Sequence, residues 1–242
     1  VRMCDLILGE TAMRKFVILG CLAALASPAV AEGFAPRPES CKLIATMQKS
    51  DCEVENTYKC PADGRAFYRV EYFEDVGLTQ IGQMTANFAT ESSVDERGDG
   101  MYFDQSDALH PKEMIRLGTS VQNLDGLISL FGLKQPINGT AKYTTRGETV
   151  ELAGKAFETL DGEMSISVPN AGVVITGRTV IAYQRDIDLL LEIETSLDFG
   201  DHKTSHAVEV ALPGQTGFGD ETPRHGCTGL SSLHEIGGGS SA

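Results

Sequence analysis

The chain has 242 residues, of which 41% are hydrophobic, and it carries a formal net charge of −14. This acidity argues against nucleic acid and against anionic membrane surfaces as partners, because their phosphates would repel the chain. The length is sufficient for one large or two small domains.

The most specific feature of the chain is a secretory signal pattern at residues 13–31. A cationic start, an apolar stretch and a small-x-small end at Ala31 predict cleavage before Glu32. Export by this route predicts a periplasmic location.

Two further interpretations concern the segment around this signal. Residues 1–12 are interpreted as an over-extended reading frame, and Cys21 follows a loosely lipobox-like order, so a lipoprotein anchored at Cys21 is the minor alternative. No later stretch approaches the roughly 18 apolar residues of a membrane-spanning helix. We therefore expect an exported product that is soluble and does not span a membrane.

The mature chain is expected to contain one domain. Residues 32–40 are rich in Gly and Pro and predict an exposed lead-in, residues 41–230 predict a single β-rich domain, and residues 231–242 predict a flexible tail.

Four cysteines remain after cleavage, and an even number in an oxidising compartment predicts disulfides. Two short β-type segments flank residues 50–51, and a two-residue hairpin loop there would place Cys41 opposite Cys60. Cys52 then pairs with Cys227, which would tie the C-terminal part of the chain to the first hairpin.

The next segments alternate in polarity, as half-buried strands do. Residues 65–75 and 79–90 each present one more apolar face. Residues 95–100 (DERGDG) contain three acidic residues but lack the order of a calcium loop, and they predict a solvated hairpin tip.

The best helix candidate covers Thr119–Phe131, because apolar residues recur there at helical spacing and Gly132 can end the helix. We expect this helix to pack on the sheet or to cover a ligand cavity. The candidate ligand-binding residues on its apolar face are Leu124, Leu127, Ile128 and Phe131.

From Thr140 onward, strands and turns alternate. Residues 186–197 could form a helix by propensity, but they keep period 2 for most of their length and are predicted as a strand. The whole predicts a mainly β fold. Roughly ten antiparallel strands form a single meander curled into a barrel or half-barrel, with one amphipathic helix packed on it.

His202 and His206 are weak candidates for metal ligands, since they are four residues apart and close to Asp198 and Asp201. The Gly200-Asp201 pair instead predicts a hairpin turn that leaves both imidazoles solvated. No cofactor is expected.

No catalytic residue is assigned, because the mature chain lacks G-x-S-x-G and S-x-x-K motifs. A carboxylate pair for glycoside chemistry could come from the acidic residues that are frequent in the predicted strands. These residues are Glu148, Glu151, Glu158, Asp161 and Glu163.

In the order of its elements, the chain resembles the half-barrel carriers that shuttle lipoproteins or lipids across the periplasm; the resemblance carries no motif. The leading hypothesis is a non-enzymatic periplasmic protein that holds an apolar ligand or supports the envelope by binding another protein. An envelope-acting hydrolase and a protein interaction module with an exposed apolar patch are the alternatives. An apolar cavity without convergent polar groups would favour the carrier.

Overall fold

Period-2 alternation gives strands along most of the chain in the computed structural model, which describes residues 34–62, 65–104, 108–198 and 203–227. The interpretations of residues 1–12, of the signal peptide, of Cys21 and of the tail at 231–242 lie outside these residues. The strands are β1 (Lys42–Lys49), β2 (Val54–Ala62), β3 (Arg65–Glu74), β4 (Gly77–Met84), β5 (Thr90–Val94), β6 (Gly100–Asp104), β7 (Thr119–Asn123), β8 (Asp125–Leu130), β9 (Leu133–Leu152), β10 (Lys155–Val168), β11 (Val173–Gln184), β12 (Leu189–Asp198) and β13 (Lys203–Ala211).

These strands close into an antiparallel barrel. Strands β1 to β6 pair with one another in sequence order, β6 then pairs with β8, and strands β8 to β13 again pair in sequence order. β13 pairs with β1, which closes the ring. Within the described residues the ring contains twelve strands, and β7 continues the line of β8 along the same edge of β9. The mainly β fold curled into a barrel is thus confirmed, because closure removes the exposed edges of a long antiparallel sheet.

One α-helix, α1 (Pro111–Leu117), precedes β7. His110 caps its start by accepting the N–H of Lys112, Pro111 has the fixed φ that suits a first turn, and Gly118 ends it at a φ of 80°. In the part of the chain described, no helix has both the length and the hydropathy needed to cross a membrane.

The predicted helix over Thr119–Phe131 is wrong, since this segment forms β7 and β8. Leu124 lies between the two strands and donates its N–H to Gly139. β7, Leu124 and β8 keep one register along β9, with Leu124 and Ile128 on the inner face and with Val121 and Leu127 exposed on the outer face. Apolar residues on both faces of one strand path therefore imitate helical spacing.

The first hairpin has a three-residue loop rather than the predicted two-residue one. The N–H of Lys49 bonds the carbonyl of Glu53 at 2.9 Å, and Cys52 takes the left-handed conformation with a φ of 64°. A register shift between Leu43 and Ala45 then compensates, so that Lys42 lies opposite Lys59.

Both disulfides have the expected partners. Cys41 bonds Cys60 with their Cα atoms 4.1 Å apart, and Cys52 bonds Cys227 across a sequence separation of 175 residues. The register shift in β1 is what brings Cys41 opposite Cys60 despite the longer loop.

The C-terminal segment, defined here as residues 213–227, covers the outer face of β1 and β2. Gln48 donates to the carbonyl of Thr222 at 3.1 Å, and Asn56 donates to that of Asp220 at 3.0 Å. Thr46 accepts the N–H of Gly219 at 2.9 Å. These bonds explain why polar side chains on the outer face of the barrel are fully buried.

The lead-in at residues 34–40 contacts the outer face of β2 and β3. Arg37 donates to the buried carboxylate of Glu71 at 2.6 Å and lies 4.2 Å above the ring of Tyr58. Arg69 bridges the same carboxylate and the carbonyl of Ala35. Both ends of the described chain therefore add to the burial of the first three strands.

Candidate functional site

Strand pairing identifies a row of residues on the inner face of the barrel, because directly opposite residues of an antiparallel pair share a face. Val70 lies opposite Gly82, and Gly82 lies opposite Ser93. Ser93 lies opposite Met101, which in turn lies opposite Ile128.

The inner face is apolar around β6 to β11 and only partly covered. A buried cluster of six residues, among them Ile137 and Ile166, forms its centre. Several large side chains pack against this centre and remain partly exposed, although strands surround them: Met101, Phe103, Ile128, Tyr143, Met164 and Val173. A barrel of about eight strands can be filled by its own side chains, whereas larger barrels leave room inside. We call this interior the lumen.

A group of charged residues forms a second, polar part of the lumen. Lys49 and Glu55 form an ion pair whose side chains are 5% and 7% exposed, and Glu53 lies 3.7 Å from the Lys49 ammonium. Burial raises the pKa of Glu55 to about 7, although Lys49 opposes the shift. Burial also acts to lower the pKa of Lys49, but the carboxylates, Glu55 foremost, outweigh it and raise that pKa. Carboxylates outnumber the ammonium here.

Glu192 connects this charged group to two tyrosines. Burial is the main cause that raises the pKa of Tyr72 on β3 and the pKa of Tyr143 on β9. The charge of Glu192 raises both pKa values further. Since β3, β9 and β12 stand at different places around the ring, these side chains meet in the interior. Thr195 donates a hydrogen bond to Glu192.

Each of these tyrosines lies against a glycine of the next strand. A Cβ at Gly82 would be 3.5 Å from the Tyr72 ring, and a Cβ at Gly162 would be 3.0 Å from the Tyr143 ring. Glycine within a strand marks such close approach. These glycines are the sequence signal that could have pointed to the two lumen tyrosines, which the sequence analysis did not identify.

An aromatic plug occupies the end of the barrel at which α1 lies. The rings of Tyr68 and Phe88 stack at 4.1 Å, and Phe88 contacts the edges of His110 and Tyr183. The carboxylate of Asp188 joins them, with Tyr183 Oη at 3.0 Å and Tyr68 Oη at 3.1 Å. This plug was not predicted, since its residues come from four distant segments.

The charges of the plug are mutually satisfied. Burial acts to raise the pKa of Asp188, but the hydrogen bonds from Tyr183 and Tyr68 outweigh it and hold that pKa below its ordinary value. His110 Nδ1 accepts the Lys112 N–H, so Nε2 carries the proton that faces Asp188 at 3.1 Å. Both imidazole nitrogens are engaged, and the group is suited to holding α1 in place rather than to moving protons.

The four predicted ligand-binding residues do not share one face. Leu124 is buried beside the lumen, and Ile128 points into it. Leu127, next to Ile128 on a strand, points outward, and Phe131 lies at the β8–β9 turn with 85% of its surface exposed. Only Leu124 and Ile128 therefore contribute to the lumen, because residues one apart on a strand face opposite sides.

Of the two metal candidates, the structure describes only His206. His206 lies in β13 and is exposed, where its N–H bonds the hydroxyl of Ser50 at 3.1 Å, so the loop predicted there ends earlier. His202 lies outside the described residues. No group of three or more potential metal ligands occurs within the described ranges.

Three of the acidic residues considered for glycoside chemistry are in ion pairs. Glu158 accepts three bonds from Arg185, at 2.8, 2.8 and 3.1 Å. Asp161 lies 2.6 Å from Arg146, and Glu163 lies 3.8 Å from Arg178. Glu158 and Arg185 also line a groove of about 400 Å³ beside Tyr183. Asp186 lines the same groove, and the Glu158 carboxylate there is held by the Arg185 guanidinium.

No protein-family model and no curated protein matches the chain. Among solved structures, the chain is similar to a Bacteroides fragilis protein that is described as exported and as having a YmcC-like fold. The two share 11% identity with a TM-score of 0.26, over 74% of this chain and 99% of the other. A similarity of this size carries no argument about function.

Proposed function

We propose that the mature chain is an exported, periplasmic, non-enzymatic protein that holds an apolar ligand in the lumen of its barrel. The observation that carries the proposal is the inner face itself. Met101, Ile128 and Met164 point inward from three strands and keep exposed surface inside a closed ring. A ligand that covers this apolar surface displaces water from it, and the free energy of the system falls as a result.

The lumen is not the purely apolar cavity expected of the carrier, because charged groups converge in one part of it. It therefore favours a ligand with one polar end. Glu55, Lys49 and Glu192 lie near the hydroxyl of Tyr72, on strands other than those of Met101 and Met164. An elongated ligand would place its apolar part among Met101 and Ile128 and its polar end against these groups. A few polar groups in an apolar pocket fix the orientation of a ligand in this way.

The aromatic plug supports a container with one open end. α1, Phe88 and the Asp188 hydrogen bonds occupy one end of the barrel. The two disulfides support the location, since such bonds persist outside the cytoplasm. They agree with export through the signal pattern at residues 13–31.

The direct test is the binding of the dye 1-N-phenylnaphthylamine, whose fluorescence rises in apolar surroundings, to the purified mature chain. The substitution Ile128→Trp fills the lumen, and Leu127→Trp places the same ring on the outer face one residue away. We expect Ile128→Trp to weaken dye binding by about tenfold or more, while Leu127→Trp leaves it unchanged. Met101→Trp is a second inner variant, in case the first fails to fold.

Native mass spectrometry of the protein from a periplasm, followed by denaturing analysis, gives the independent measurement. An excess mass that disappears on denaturation is expected. Equal dye binding by the inner and outer variants would contradict the lumen as the site. A bare native mass together with no dye binding by the unmodified chain would contradict the carrier function itself.

A further inference from the structure

The end of the barrel opposite the plug carries exposed apolar side chains. Strands β3, β8 and β10 run in the same direction, so the turns that follow them lie at the same end, away from α1. Five exposed apolar residues at or next to these turns form what we call the apolar rim: Val76, Leu130, Phe131, Leu133 and Val174.

The β8–β9 hairpin projects beyond its neighbour at this end. β10 pairs with β9 only as far as Asn138, which leaves Leu133–Ile137 of β9 without β10 alongside. Five residues of strand correspond to about 17 Å. Phe131, at the tip of this hairpin, is therefore the outermost of the rim residues on this side of the barrel.

The tip is held in one conformation. Phe131 and Gly132 both have positive φ, 54° and 75°, as the two central residues of a tight hairpin turn do. Asp99 accepts the N–H of Phe131 at 2.7 Å, the N–H of Gly132 at 3.0 Å and the hydroxyl of Ser129 at 3.0 Å. A bulky aromatic residue is unusual at positive φ, and here three hydrogen bonds hold it with its ring in solvent.

We infer that the apolar rim docks on a lipid surface of neutral, zwitterionic head groups. The rim residues lie on three separate turns rather than on one continuous face, whereas a stable protein interface needs about 800 Å² on each partner. Separate projecting apolar side chains can enter a lipid interface individually, because lipid adapts to their shape.

Charge selects the kind of lipid. The chain carries a net charge of −14, and Glu74 and Asp75 adjoin Val76 at the rim. Arg97 near the tip is paired with Asp95 at 2.8 Å. Anionic head groups would repel such a surface, and neutral ones would not. This inference rests on the proposed function in one respect: a rim at the open end would let an apolar ligand pass between lipid and lumen without crossing water.

The experiment is co-sedimentation of the mature chain with phosphatidylcholine vesicles, repeated with phosphatidylglycerol added. The variants Phe131→Ser and Leu130→Ser each change the rim. The control is Leu117→Ser, which changes a leucine on α1 at the other end with the same exposure as Leu130, 51%. We expect Phe131→Ser to reduce vesicle binding about tenfold and Leu130→Ser to reduce it less, since each loses the burial of one side chain. Leu117→Ser should bind as the unmodified chain does.

Three results would overturn the inference. The first is no binding of the unmodified chain to neutral vesicles, which would leave a protein as the occupant of the rim. The second is an equal loss of vesicle binding for Leu117→Ser and Leu130→Ser. The third is stronger binding when phosphatidylglycerol is added. Dye binding separates this inference from the proposed function. Dye binding without vesicle binding would contradict the docking surface but not the carrier function. Vesicle binding without dye binding would contradict only the carrier function.

Discussion

The hydroxyl of Tyr183 lies 3.0 Å from the carboxylate of Asp188, and this bond is one of those that hold the plug together. Asp188 has a folded-state pKa below its ordinary value. Its contribution to stability is therefore present above the ordinary carboxyl pKa and is lost as the pH falls through the lowered one.

From this relationship we expect Asp188→Asn to lower the free energy of unfolding by about 0.5–1.5 kcal/mol at neutral pH, because charged acceptors make the stronger hydrogen bonds but water screens a carboxylate that is 38% exposed. The variant should also lose less stability than the unmodified chain between about pH 7 and about pH 3. Urea unfolding at both pH values measures this. Asp186→Asn, in the same turn, is the control, and a similar loss in both variants would contradict the role of Asp188.

The Glu55 carboxyl gives the opposite dependence on pH. Its folded-state pKa is raised to about 7, so the folded chain holds this proton more tightly than the unfolded chain does. The associated stability is fully present below the ordinary carboxyl pKa and declines as the pH rises to about 7. Glu55→Gln removes this decline.

We therefore expect the stability of Glu55→Gln relative to the unmodified chain to increase between about pH 5 and about pH 8, by at most about 3 kcal/mol. Chemical unfolding across this range gives the difference, with the exposed Glu91→Gln as the control. A constant difference between the variant and the unmodified chain would show that Glu55 stays ionised in the folded state.

Asp99 should control the order of the β8–β9 turn. Backbone hydrogen bonds, that of Gly132 foremost, hold the pKa of Asp99 below its ordinary value, which shows how closely the carboxylate engages the turn. Asp99→Ala removes three acceptor contacts at once, and hydrogen exchange at the amides of Phe131 and Gly132 should accelerate. Glu96→Ala in the same loop should not change it. Unaltered exchange in Asp99→Ala would mean that the turn holds its conformation by itself.

The two disulfides should contribute unequally. Replacing Cys52 and Cys227 by Ser should cost about 5 kcal/mol on a chain-entropy estimate, and replacing Cys41 and Cys60 about 3 kcal/mol. The first pair of changes should also make residues 213–227 sensitive to proteolysis, because their remaining attachment is by hydrogen bonds to residues such as Gln48 and Asn56. Equal stability and equal proteolysis of the two double variants would contradict this account.

Particular segments show how far sequence patterns reach. Residues 186–197 were predicted as a strand from their alternation, and most of them form β12, Leu189–Asp198, while residues 186–188 belong to the preceding turn. The segment 79–90 was predicted as one strand, but β4 ends at Met84 and a turn follows, in which Phe88 has a φ of 62°. Phe88 turns back there to stack on Tyr68, a contact between distant segments that no local pattern records.

The sequence by itself determined the strand content, the antiparallel meander and its curling into a barrel, and it indicated partners for the four cysteines. These follow from alternation, turn residues and cysteine number, which act between neighbours along the chain. The tertiary structure alone decided which side chains face the lumen, as Leu127 and Ile128 show. It also decided that residues 119–130 would pair along β9 in one register and form two strands instead of a helix. Both depend on register and closure, which are fixed by contacts between strands far apart in sequence.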